Sequence, residues 1–350
     1  MQTVNTRSFA RAGFLGNPSD GYFGKTISFS FTAFCVDLKL SESSRLRFVP
    51  GEVDDATFES PEALVRDLRL YGYYGGIRML KAVSKLFFEY CFERGISLDK
   101  RNFTVEYKIN IPRLVGMSGS SAICSAMLKA LQKFYGVTIP LEEAPTLCME
   151  AERDELGIAC GLQDRVAQIY NGLTFMDFER SLVESTGHGR YERLAPELLD
   201  RIYISYDPNR AEESGKAHKK VRQRFQNRDR DVIGAMSEFA DIAQKGRDAL
   251  VTGRTDEIPS LVNANFDLRD RIFNVAEENR RMVMTAREAG ASAKFAGSGG
   301  AIVGTYEDEA QYEKLVEKLR SIGCITLKPV IASCADETGE LVSSGIWRNS

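Results

Sequence analysis

Apolar and polar positions nearly alternate over residues 26–40, where Phe, Val and Thr recur, and this spacing predicts a strand; shorter strands are expected at 8–16 and 45–49. From 61 to 93 the period lengthens to that of an amphipathic helix. Glycines and tyrosines break it at 72–76, so two helices flanking a glycine hinge are expected. A strand at 103–111, a loop of Pro, Gly and Ser, and a helix over 120–134 follow. Further helices are expected at 141–156 and 164–170, and strands at 173–178 and 201–206. The second half turns helical over 213–226, 231–250, 258–273 and 279–289, with charges on the outer faces. It closes on a strand at 291–295, a glycine loop at 297–300, a strand at 302–306 and a helix at 310–322. No repeat or low-complexity linker divides the chain, so two domains, 1–200 and 201–350, are expected to share an interface.

A length of 350 residues suits one large domain or two joined ones, and 43% apolar with 27% charged residues is an ordinary globular balance. The formal charge of −3 implies no polyelectrolyte partner, which disfavours nucleic acid. No signal-peptide pattern opens the chain and no window holds about 18 uninterrupted apolar residues, so a soluble cytoplasmic protein with no membrane partner is expected. The seven cysteines form no CxxC or Cys/His cluster and read as buried free thiols. His188 and His218 are the only histidines, too few for a zinc site or a Ser/His/Asp triad.

The sharpest chemical signal is Ile111-Pro112-Arg113-Leu114-Val115-Gly116-Met117-Ser118-Gly119-Ser120-Ser121-Ala122. Small residues ahead of a helix leave backbone N–H groups at its positive dipole end, the arrangement that an anionic polyphosphate needs. Read alone, the loop suits a serine-capped helix equally well, and it lacks the spacing of an ordinary P-loop. A second element, Gly157 to Arg165, places Asp164 after a glycine turn, where a carboxylate can orient a hydroxyl nucleophile or take its proton; read alone, Asp164 is first an N-cap. Glu152 could join the Ser121 hydroxyl on a magnesium ion, against the plainer reading of an exposed Glu in an i,i+4 pair. Lys294 to Ala301 is a glycine run between strands, and Arg11 to Lys25 holds Arg11, Asp20 and Lys25 around a turn that suits a polar pocket.

These four elements, in this order, resemble the GHMP kinases, the superfamily of galactokinase, homoserine kinase, mevalonate kinase and phosphomevalonate kinase. Gly116 to Ala122 looks like its PxxxGLGSSAA loop with Met117 where Leu is usual, and Lys294 to Ala301 and Arg11 to Asp20 are similar to its C-terminal and N-terminal motifs. The likeness is greatest to the glucuronokinase branch, through stretches such as GFLGNPSDGYFGKTISFS (13–30), IPRLVGMSGSSAI (111–123), ELGIACGLQDRVAQIYNGL (155–173), SGKAHKKVRQRF (214–225) and GASAKFAGSGGAIV (290–303).

The resemblance implies an α+β GHMP kinase fold, with an N-terminal domain like ribosomal protein S5 and a C-terminal ferredoxin-like domain. It also implies transfer of phosphate from ATP to the anomeric hydroxyl of D-glucuronate. Asp164 matches the catalytic carboxylate and Arg11 a basic residue near the transferred phosphate, while Ser121 and Glu152 match magnesium positions. Pro112, the backbone from Gly116 to Ala122, Gly297 and Gly299 would hold the nucleotide; Asp20, with Tyr22 beside it, matches a sugar contact, although Asn17 and Pro18 replace a Glu-His pair there. An acid sugar calls for a forked guanidinium, for which Arg113, Arg222 and Arg224 are candidates. Tyr71, Tyr73 and Tyr74 are candidates for an adenine wall or for packing, and a monomer or homodimer is expected. A kinase for galacturonate or a heptose phosphate, or a silent sugar or nucleotide sensor, are the alternatives.

Overall fold

The computed structural model describes residues 2–51, 54, 60, 75–209 and 214–333. The expected hinge at 72–76 and its tyrosines 71, 73 and 74 fall outside these residues, apart from Gly75 and Gly76. Two sheets form the frame. The first is laid down by β1 (Thr3–Leu15) and β2 (Lys25–Ser43), joined by β3 (Arg47–Phe48), β4 (Asn102–Ile109), β5 (Leu173–Asp177) and β6 (Arg190–Leu194). The 19-residue β2 runs antiparallel to β1, while its other edge pairs with β5 near its start and with β4 near its end. A break in register after Phe9 bends the pair, and the chain near Ile331 returns to bridge Phe31 across that bend.

The second sheet, ordered β10-β7-β9-β8, is antiparallel and comprises β7 (Ile202–Tyr206), β8 (Lys294–Phe295), β9 (Ala301–Thr305) and β10 (Ile325–Leu327). The chain therefore leaves the first sheet at Leu194 and enters the second at Ile202. Strands β6 and β10 escape the sequence pattern because β6 reads RYERL and β10 is three half-exposed residues, so neither carries an apolar period.

Helices α1 (Gly76–Glu93) and α2 (Gly119–Tyr135) cover one face of the first sheet. The apolar stripe of α2, including Ile123, Met127, Leu131 and Phe134, is fully buried, each side chain contributing roughly 1.5–3 kcal/mol. The expected helix at 141–156 is two pieces, α3 (Ala144–Glu150) and a π-helical turn (Ala151–Glu155), a distortion that recurs at functional sites. Next come α4 (Gln163–Tyr170), α5 (Arg180–Thr186), α6 (Ser214–Gln226), α7 (Arg230–Thr252), α8 (Ile258–Ile272), α9 (Glu277–Glu288) and α10 (Glu309–Ser321). Asp229 caps α7, its side chain accepting from the N–H groups of Asp231 and Val232. Ala243, Ala249 and Leu250 of α7 and Val262 of α8 join the core of the first sheet, while Tyr203, Phe266, Phe295 and Leu315 form a separate core at the second sheet. Among the described residues Cys35, Cys91, Cys124, Cys148 and Cys324 are buried free thiols and Cys160 is a half-buried one. No described helix is long and apolar enough to cross a membrane.

Candidate active site

Three segments far apart in sequence meet around the guanidinium of Arg11 at the end of β1. Its Nε donates to Asp164 Oδ1 at 2.6 Å, and its Nη1 donates to Gly116 O at 2.7 Å and Ala296 O at 3.0 Å. One buried side chain thus ties the carboxylate on α4 to both glycine loops. The other oxygen of Asp164 accepts from Ser118 Oγ at 2.6 Å. This geometry replaces the capping readings. Asp164 lies in the first turn of α4, where Leu162 holds the cap position, and no side chain caps the start of α2. Gly119, Ser120 and Ser121 consequently present the first N–H groups of a 17-residue helix at its positive end, met by no capping side chain.

The two glycine loops pack backbone on backbone. A Cβ on Gly297 would lie 2.2 Å from Gly116 O, and one on Gly116 would lie 2.7 Å from Gly299 O at a φ of +76°. Arg269 of α8 fixes the second loop by donating to Gly297 O and Ser298 O at 3.0 and 2.9 Å. Gly297→Ala should therefore force the loops apart and destabilise the fold by about 1–3 kcal/mol with the helices intact, checked by thermal denaturation beside a circular dichroism spectrum. Met117 is buried and contributes packing, leaving its backbone alone to face the loop.

Glu152 is fully buried, which overturns its reading as an exposed Glu in an i,i+4 pair. The π-turn directs it to Arg165, whose Nε donates to Glu152 Oε2 at 2.8 Å and whose Nη2 reaches the same oxygen; Oε1 has no partner among the described residues. Arg165 Nη1 also stands 3.7 Å from Asp164 Oδ2.

Burial alone would raise Asp164, but the charge and hydrogen bond of Arg11, with Arg165 and Ser118, outweigh it and hold the carboxylate near 2. Asp20 goes the other way. Burial and the nearby Asp164 charge push it up to about 6. Its carboxylate lies against Gly161, where a Cβ would fall 2.2 Å from Oδ2, and it accepts a long 3.4 Å bond from the Gln163 N–H. A carboxyl that titrates near 6 folded and near its ordinary 3.8 unfolded costs nothing below about 4 and its full penalty above about 6. Asp20→Asn should accordingly stabilise the fold at pH 7.5 by about 1–3 kcal/mol and hardly at pH 4, measured by thermal denaturation at the two pH values.

Sequence reasoning assigned no role to four residues that brace this site. Lys294 is buried, and its Nζ donates to Gly13 O, Asn17 Oδ1 and Phe295 O at 2.6–2.7 Å; burial, with Arg269 and Arg11 near, lowers its pKa well below the usual value. Asn265 accepts from Gly16 N at 2.6 Å, Gln168 donates to Ser118 O at 2.9 Å, and Arg269 acts as described. For Asn265, Gln168 and Arg269 the available signal was a polar residue on an otherwise apolar helix face. Of the arginines proposed for the acid group, Arg224 is engaged by Asp229 at 2.8 Å, Arg113 is exposed beside the loop, and Arg222 lines a cavity next to Gly21 and Tyr22.

The profile of the GHMP kinases N terminal domain matches residues 78–172. Over 96% of its length the chain is 43% identical to glucuronokinase 1 of Arabidopsis thaliana, covering 94% of that protein. The chain belongs to the glucuronokinase family of GHMP kinases. It is also 46% identical, over 93% of its length, to the probable glucuronokinase 2 of the same plant, of which 90% is covered. The crystal structure of Lactococcus lactis galactokinase complexed with galactose superposes with a TM-score of 0.72 at 16% identity, over 95% of this chain and 94% of that one. The α+β architecture expected from the resemblance is therefore that of the GHMP kinases, with the glycine-serine loop at 116–122 and Asp164 within the matched residues.

Proposed function

We propose that this GHMP kinase transfers the γ-phosphoryl group of ATP to the anomeric hydroxyl of D-glucuronate, releasing ADP and glucuronate 1-phosphate. The observation that carries this reading is the placement of Asp164 between Arg11 and Ser118, at the start of the helix whose free N–H groups suit a polyphosphate. Likeness to two glucuronokinases over nearly the whole chain supplies the sugar.

In this reading the backbone of Gly116 to Ser121 binds the phosphates and the loop at 297–300 closes over them. Asp164 stays ionised at all working pH values and orients the hydroxyl. Its low basicity suits a loose transition state, in which the attacking oxygen gives up its proton late and positioning does most of the work. The O–P bond to the sugar forms as the bond to ADP breaks, and the hydroxyl proton passes to Asp164. Asp20 holds a neighbouring sugar hydroxyl.

Magnesium fits the residues present. Ser121 and Glu152 are hard oxygen donors, and Glu152 Oε1, without a partner among the described residues, leaves a lone pair for a cation. When bound, the ion neutralises charge on the phosphate oxygens.

ADP release measured across glucuronate, galacturonate, glucose and a heptose 7-phosphate tests the assignment. Glucuronate is expected to give the highest kcat/KM, with the product's phosphorus resonance coupled to the C1 proton; another sugar leading the panel would overturn the specificity.

A further inference from the structure

A cavity of about 610 Å³ opens against Gly21, the residue after Asp20, walled by Tyr22, Phe23 and Phe225 and bordered by Arg180, Arg222 and Arg228. Three arginines line it, and among the described residues no carboxylate does. Neither Arg222 nor Arg228 has an acidic partner among the described residues, and Arg180 has only a 3.4 Å contact with Glu184 on its own exposed helix. Cations gathered without counter-charges raise the local concentration of anions and wait for one.

The wall is fastened to the active site. The turn Ser19–Tyr22 carries both Asp20 and Tyr22, and the Tyr22 ring meets Phe225 of α6 edge-on with centroids 4.9 Å apart. Arg222 and Phe225 are three residues apart on α6 and so share a face, whereas Arg224 turns away to Asp229. A Cβ on Gly21 would stand 3.5 Å from Arg222 Nη2, so the guanidinium lies over the backbone of the turn that bears Asp20. Arg180 lies over the Phe23 ring at 4.2 Å, which holds its charge at the cavity rim. The phenol of Tyr22 senses both Arg222 and Asp20, placing the two within electrostatic reach of one hydroxyl.

In a hexuronate the anomeric carbon and the carbon bearing the carboxylate both flank the ring oxygen. A site that presents the C1 hydroxyl to Asp164 therefore has the acid group within one ring's reach. We propose that this cavity is the acid-reading subsite, in which Arg222 pairs with the sugar carboxylate and Arg180 and Arg228 supply supporting positive charge. The inference rests on the sugar-acid kinase reading above and names the residues that make the substrate an acid. Aromatic walls suit the apolar face of the ring, and the arginine fork suits a planar carboxylate.

The test compares glucuronate with its methyl ester, which keeps the ring and the C1 hydroxyl but loses the charge. Calorimetric titration and kcat/KM on the wild-type chain are expected to favour the acid by about 10- to 100-fold. Arg222→Ala should collapse that preference to within about threefold, raising KM for glucuronate far more than for the ester with little change in kcat, and Arg222→Ala/Arg228→Ala should erase what is left. Arg224→Ala, a charge removed from the opposite side of the same helix, should leave the preference intact. Equal loss for acid and ester in a folded Arg222→Ala, or a preference as weak in Arg224→Ala, would overturn the subsite while leaving the kinase reading standing. A wild-type chain that neither binds nor phosphorylates glucuronate would overturn both.

Discussion

Replacing Asp164 with asparagine is expected to lower kcat by about 10²–10⁴-fold while nucleotide affinity stays within about threefold of wild type. Asparagine keeps the shape and can still accept from Arg11 and exchange a hydrogen bond with Ser118, both now 2.6 Å from the carboxylate. What disappears is the negative charge that, in the proposed mechanism, orients the hydroxyl and receives its proton. The backbone N–H groups at the start of α2 are untouched, so a non-hydrolysable ATP analogue should titrate almost normally in a calorimeter. Because Asp164 is held near 2, its ionisation leaves no acid limb in the wild-type profile above pH 4; a limb near 6 would belong to Asp20. Near-normal turnover in Asp164→Asn would remove this residue from the chemistry and leave Asp20 as the carboxylate to examine.

Much of this was legible in the sequence, for a physical reason. Glycines and serines in consecutive positions before an apolar run mark a tight loop and a helix start, so the loop ahead of α2 is a local signal from Gly116 to Ala122. The long strand pair and the amphipathic helices of the second half also carry strong periods, and their observed ends differ from expectation by a few residues. What stayed hidden depends on contacts between distant segments. Nothing near Arg11 in sequence says that it will span Asp164, Gly116 and Ala296, which lie 153, 105 and 285 residues away. The burial of Glu152 was lost for another reason: the stretch TLCMEAERDEL predicts a regular helix, whereas the π-turn and Arg165 together draw the carboxylate inside. Lys294 reads as an ordinary lysine at a strand, and only the folded chain shows its ammonium enclosed by three oxygen acceptors.

The convergence on Arg11 sets the largest expected effect on stability. Arg11→Met removes the partner of a carboxylate that is mostly enclosed, so Asp164 keeps its burial and loses the charge that offset it. Its pKa should then rise from about 2 to above the ordinary value, and the two carbonyls at Gly116 and Ala296 lose their shared donor. Breaking such a pair from one side costs about 3–5 kcal/mol, more than removing both partners together. The stabilisation contributed by the depressed carboxylate is present above its unfolded pKa of about 4 and fades as pH falls toward 2, so the deficit of Arg11→Met should be full at pH 7 and shrink in acid. A double-mutant cycle with Asp164→Asn isolates the coupling: the pair of substitutions should be markedly less destabilising than the sum of the two singles. Simple additivity, read from denaturant midpoints at pH 7, would mean that the loops are held by their own backbone packing and that Arg11 serves the phosphate alone.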